Sequence, residues 1–190
     1  MKILSILLFV LLTAFAAKMV KTRVAEGITV SLPPNLFPMT PDDIAQRFPS
    51  VRAPLGAFTN EDRVVDFSVN ISATHWPDAN AAMAQKFFKA GLYNLYDRVD
   101  MIAEGTALQR KKNFIFFEFD SRISGDRKKQ GLQDPVLKYS FIQYLVAPDR
   151  TLVFAFSCPK DAKEQWQPVA RESKDQGAVR LYQVLNKRIF

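Results

Sequence analysis

One cysteine and one histidine limit the covalent chemistry open to this chain. Cys158 lies in FAFSCPKDAKEQW, residues 154–166, and His75 lies in THWPD, residues 74–78. A catalytic thiol needs an imidazole or an electropositive setting to form thiolate at neutral pH, and nothing in the sequence brings His75 beside Cys158. Alternation in TLVFAFSC places Leu152, Phe154, Phe156 and Cys158 on one strand face, with Thr151, Val153, Ala155 and Ser157 on the other. On such an apolar stripe a thiol packs as a small hydrophobe with its pKa raised. Cys158 is therefore expected to be buried and inert; a reactive or intermolecularly paired thiol is the alternative. His75 reads as a loop residue beside Trp76.

Zinc sets have too few ligands here, since C-x-x-C, H-x-x-x-H and H-E-x-x-H are all missing. A serine triad is arithmetically possible, but no G-x-S-x-G elbow accompanies it. Neither G-x-G-x-x-G nor a P-loop occurs, and seven glycines leave little room for a phosphate-cradling loop. Glu118 and Asp120 share a strand face two residues apart, as paired carboxylates of a glycosidase would. Arg122 continues that row, however, so a solvated sheet face is the expectation. Asn70-Ile71-Ser72 matches a glycosylation sequon, which reduces to an outward strand residue if the source is bacterial. The sequence thus predicts no enzyme, no cofactor and no metal site. A hydrolase using Cys158 or a serine is the minority alternative.

Arg110-Lys111-Lys112 and Arg127-Lys128-Lys129 are candidate contacts for an anionic partner. They bracket an apparent strand of twelve residues, Asn113 to Ser124, and so stand roughly 40 Å apart at about 3.3 Å per residue. That separation prevents one basic stripe along a nucleic-acid backbone, and no interleaved aromatic stacking motif joins them. Solvated loops are the plainer reading, and nucleic acid is not an expected partner.

The elements that would position these residues follow an apolar leader. MKILSILLFVLLTAFAAK carries Lys2, an apolar run and an A-x-A pattern at Ala14-Phe15-Ala16, which predicts a signal peptide over residues 1–17. The run is shorter than the roughly 20 residues of a membrane span. Lys18, Lys21 and Arg23 argue the other way, toward a retained anchor. Without a cysteine near the cleavage site, a lipoprotein is excluded. Cleavage leaves about 173 residues at a net charge of +6, down from +7 through the loss of Lys2. That size suits one domain, residues 18–190, with a substantial core. Sixteen phenylalanines promise an aromatic interior, and a lone cysteine leaves stability to packing. The positive balance suits acidic partners without choosing among them.

Val24 to Leu32 predicts a strand ended by Pro33-Pro34, and Thr40 to Phe48 a short helix with Pro41 at its first position and acids in its first turn. Arg63 to Ser72 alternates as a half-buried strand, with Val65, Phe67, Val69 and Ile71 on one side. A helix follows from a cap at Asp78 to about Tyr96, with Met83, Phe87, Ala90 and Leu95 as its stripe. Met101 to Arg110 predicts a further strand. In Asn113 to Ser124, Ile115, Phe117, Phe119 and Ile123 share one side, while Phe114 and Phe116 precede Glu118, Asp120 and Arg122 on the other. Such a strand is covered on both faces at one end. Gly125 to Asp134 reads as a polar loop. Leu137 to Ala147 and Thr151 to Cys158 predict a hairpin about Pro148-Asp149-Arg150. Asp161 and Glu164 then offer a capping-box start to a helix carrying Trp166 and Val169, interrupted near Gly177.

This order, together with YSFIQYLVAPDRTLVFAFSCPKDAKEQW and the opening GITVSLPPNLFPMT, resembles the PsbP-like and DcrB-like families. The likeness spans roughly Gly27 to Val169 and includes the small-residue junction Ser157-Cys158-Pro159-Lys160; the tail after Arg171 departs from it. It implies an α/β (α+β) fold, an antiparallel sheet sandwiched by helices. Members include a photosystem subunit, a small-GTPase binding factor and bacterial envelope proteins, and the resemblance brings no catalytic residues with it. The expectation is an exported accessory or protein-binding protein of the cell envelope, periplasmic or secreted. Its partner would be another envelope protein, acidic as one option, with a transient membrane-surface contact left open. The alternative is a carrier of a small hydrophobic ligand or lipid in an aromatic cavity.

Overall fold

Alternating and continuously apolar runs between Phe37 and Pro159 build a seven-stranded antiparallel sheet in the computed structural model, which describes residues 19–49, 52–74, 76, 78, 80–109, 112–124 and 134–175. The chain opens with β1 (Val20–Ala25) and β2 (Ile28–Leu32), then β3 (Phe37–Pro38) and α1 (Pro41–Arg47). Next come β4 (Gly56–Thr59), β5 (Asp66–Ile71), α2 (Ala81–Leu95), β6 (Arg98–Gln109) and β7 (Lys112–Ile123). The hairpin β8 (Val136–Val146) and β9 (Thr151–Pro159) leads through a 3-10 turn (Lys160–Ala162) into α3 (Lys163–Asp175). Strand order in the large sheet is β3-β4-β5-β9-β8-β7-β6, while β1 and β2 pair as a separate hairpin.

The central strands are apolar on both faces because both are covered. On one side Phe114, Tyr139, Phe141, Phe154, Phe156 and Cys158 pack with Val30 of the hairpin and Trp166 of α3. On the other, Ile115, Phe117, Phe119, Ile142 and Tyr144 pack beneath Ala84, Phe88 and Leu92 of α2. Phe88 stacks on Tyr144 at a centroid distance of 3.9 Å. The expected antiparallel sheet sandwiched by helices is thus observed. Gly56 lets the hairpin approach closely, since a Cβ there would stand 2.4 Å from Val24 Cγ1.

Several expectations need correction. Val24 to Leu32 is a hairpin, because Gly27 takes a left-handed turn at φ +72° and pairs β1 with β2. The strand expected from Arg63 begins at Asp66; Arg63 itself has φ +58°, and Asn60 Oδ1 accepts from the amides of Val64 and Val65, holding the preceding loop. Asn80 replaces Asp78 as the cap of α2, its side chain accepting from Met83 N at 3.0 Å. No capping box forms at Asp161, which lies inside the 3-10 turn. The two short strands β3 and β4 have no counterpart in the expectations, whereas the capping box of α1, Thr40 with Asp43, is present. The leader, residues 1–17, and the segment about Gly177 lie outside the described residues.

Candidate functional site

Cys158 is 1% exposed at the end of β9, opposite Tyr139 and within the core shared with Phe156. Burial first, then the carboxylates of Asp161 and Asp120, push its thiol up to about 11. At neutral pH it is a packed thiol, as expected. His75 lies outside the described residues, as do Arg110, Lys111, Arg127, Lys128 and Lys129. Of the six candidate anion contacts, only Lys112 is placed. It opens β7 half-buried, and desolvation followed by the nearby Arg150 guanidinium lowers its pKa. Among the described residues no group of three or more His, Cys, Asp or Glu side chains could hold a metal. No helix of the described residues is long and apolar enough to cross a membrane.

Glu118 and Asp120 are where the structure departs most from the sequence. They were expected on a solvated face, yet Glu118 is 2% exposed and roofed by α3. Tyr139 donates its hydroxyl to Glu118 Oε1 at 3.1 Å, Gln167 Nε2 donates to the same oxygen at 2.6 Å, and Arg171 Nε donates to both oxygens at 3.1 Å. Asp120 accepts from Lys163 Nζ at 3.0 Å on both oxygens and has Lys160 Nζ at 3.5 Å. Desolvation and the Glu118 charge hold the Tyr139 phenol far above its usual range. This is a clamp between a strand and a helix, with a geometric cause. Lys163, Gln167 and Arg171 recur every four residues, a rise of about 6 Å on a helix. Glu118 and Asp120 stand two strand residues apart, about 6.6 Å. The step from Lys163 to Gln167 therefore matches the step from Asp120 to Glu118, Arg171 reaches Glu118 from the next turn, and Trp166 and Ala170, one stripe over, enter the core. That four-against-two match was available in the sequence. With its carboxylates saturated by protein donors, the pair is not arranged for glycosidase acid–base work.

The outer face of α2 is the second feature. Met83, Phe87 and Ala90 do form a stripe, but it faces solvent: Met83 is 60% and Phe87 51% exposed. The buried stripe is Ala84, Phe88 and Leu92, one residue out of phase. Leu95 lies past the covered part, 71% exposed. Trp76 packs edge-on against Phe87 at 5.6 Å and continues this apolar surface.

A small apolar pocket opens between the hairpin, α3 and the sheet, lined among others by Met19, Leu32, Phe67, Phe154 and Ala170. Its volume is about 30 Å³, far below the roughly 300 Å³ at which small-molecule sites begin. A lipid-sized cargo does not fit such a space. Of three rings suited to lining a cavity, Phe154 borders this small pocket within one core, Phe117 is packed in the other core beneath α2, and Phe87 lies on the surface.

No protein-family model matches the sequence, and no curated protein matches it. Among solved structures the chain is similar to the solution structure of cyanobacterial PsbP (CyanoP) from Synechocystis sp. PCC 6803, with a TM-score of 0.54 and 11% identity, over 84% of this chain and 91% of that one. A Pseudomonas aeruginosa protein of unknown function, described as a putative regulator, gives a TM-score of 0.42 at 10% identity over 82% of this chain and 92% of its own. At such identity the likeness to CyanoP is one of fold alone. The expected resemblance holds at that level: this chain has a PsbP-like α+β architecture.

Proposed function

We propose that this protein is an exported, non-catalytic accessory factor of the cell envelope that works by binding another protein through its surface. The observation that carries the reading is the state of Glu118 and Asp120. The carboxylates best spaced for catalysis are saturated by Tyr139, Lys163, Gln167 and Arg171 and hold α3 to the sheet. The buried thiol supports it further, as does the size of the apolar pocket beside α3, about 30 Å³ against the roughly 300 Å³ or more of a small-molecule site. A PsbP-like fold suits such a role by analogy only. The apolar leader supports export. Capture of the tagged protein from cross-linked envelope extract tests the reading. We expect one protein recovered in stoichiometric amount; recovery of the chain alone from every envelope fraction would contradict it.

A further inference from the structure

We propose that the outer face of α2 docks on an anionic lipid bilayer. This goes beyond the protein-partner reading and rests on the residues of the helix itself. Along its fifteen residues α2 carries Lys86 and Lys89 and no carboxylate. Its solvent side presents Met83, Phe87, Ala90 and Tyr93, with exposed Lys86 between them. Lys89 is held by Glu104 at 2.6 Å, so Lys86 is the cation of the helix face. A helix with apolar and aromatic side chains flanked by lysine suits the boundary of headgroups and acyl chains.

The geometry favours a bilayer over other occupants. A fifteen-residue helix is about 22 Å long and about 10 Å wide, so two copies packed through α2 would bury far less than the roughly 800 Å² per partner of a stable interface. A helix lying on a sheet presents a convex outer side, and the side chains exposed along it, Met83, Phe87 and Tyr93, follow one another along the axis. Single protruding rings on a convex helix are satisfied by a fluid apolar layer.

Flotation of the purified full chain with phosphatidylcholine vesicles, with and without phosphatidylglycerol, tests the proposal. Brominated acyl chains provide a local readout, because Trp76 touches Phe87 while Trp166, the other tryptophan, is buried under α3 on the opposite face. We expect binding that requires phosphatidylglycerol and weakens with salt, and bromine quenching of Trp76. Phe87→Ser should weaken partition about tenfold, and Lys86→Glu should weaken it on anionic vesicles. Val64→Ser, at an exposed position in a loop before β5, should leave it unchanged. Both α2 side chains are exposed, and unchanged thermal unfolding verifies the fold of each variant. Lack of flotation with anionic vesicles, or flotation insensitive to Phe87→Ser and Lys86→Glu, would overturn the proposal. Loss of envelope-protein capture by Phe87→Ser with flotation intact would assign the face to a protein instead, and leave the partner reading standing.

Discussion

At the scale of single residues, Glu118 separates a structural from a catalytic account of the sheet. Removing its carboxylate takes away the acceptor of the buried Tyr139 hydroxyl, which Gln167 and Arg171 share. Arg171 is about half exposed and regains water, so the expected loss for Glu118→Ala is about 2–3 kcal/mol, below that of a fully buried pair and near that of an unsatisfied buried polar group. Arg122→Ala, on the exposed end of the same strand, should change stability little. Urea denaturation of the two variants measures both. The polar row Glu118, Asp120, Arg122 misled because strand alternation reports which side chains share a face and says nothing of what covers it. Cys158 was legible, since its whole stripe is aromatic. Its thiol is raised from 9.0 to about 11 by burial, so the native state keeps its proton longer than the unfolded chain. The corresponding stability is complete below about pH 9 and lost as pH rises toward 11, at up to about 1.4 kcal/mol per pH unit. Cys158→Ala should flatten that alkaline decline in a pH series of unfolding midpoints. A native thiol labelled as fast as the unfolded one would contradict the burial.

At the scale of elements, the long strands are legible in the sequence, and the short strands, the first hairpin and the helix faces are not. Asn113 to Ser124 and the hairpin about Asp149 declared themselves by length and alternation. In α2 two apolar stripes lie one residue apart, Met83-Phe87 and Ala84-Phe88-Leu92, and a helix apolar on two sides gives no signal for which side is inward. The β1–β2 hairpin was missed because residues on both sides of Gly27 alternate as one strand would. β3 and β4, of two and four residues, are too short to show a period. Two alanine substitutions test the element assignments. Gly27→Ala forces a side chain into φ +72° and should cost about 1 kcal/mol. Gly91→Ala meets open space inside α2 and should stabilise by about 0.5–1 kcal/mol. Equal effects of one sign in denaturant titrations would contradict the turn and the helix.

At the scale of the whole molecule, the sheet with a helix layer on either side is what the PsbP-like resemblance implied, and the similarity of fold to CyanoP agrees with it. Surface features were less legible, because a sequence shows which side chains share a face and not which faces the fold covers, as Glu118 and Phe87 illustrate. The apolar leader belongs to this scale too. Amino-terminal sequencing of the fractionated protein should find a start near Lys18, and intact Met1 in a membrane fraction would mark a retained anchor. The central claim is that this protein works by surface binding with its interior filled. Native mass spectrometry of the protein isolated gently from its own envelope tests that claim most directly. The account predicts a complex with a second polypeptide that dissociates to the bare mass of the chain. A lone chain carrying a stoichiometric apolar small molecule would contradict it.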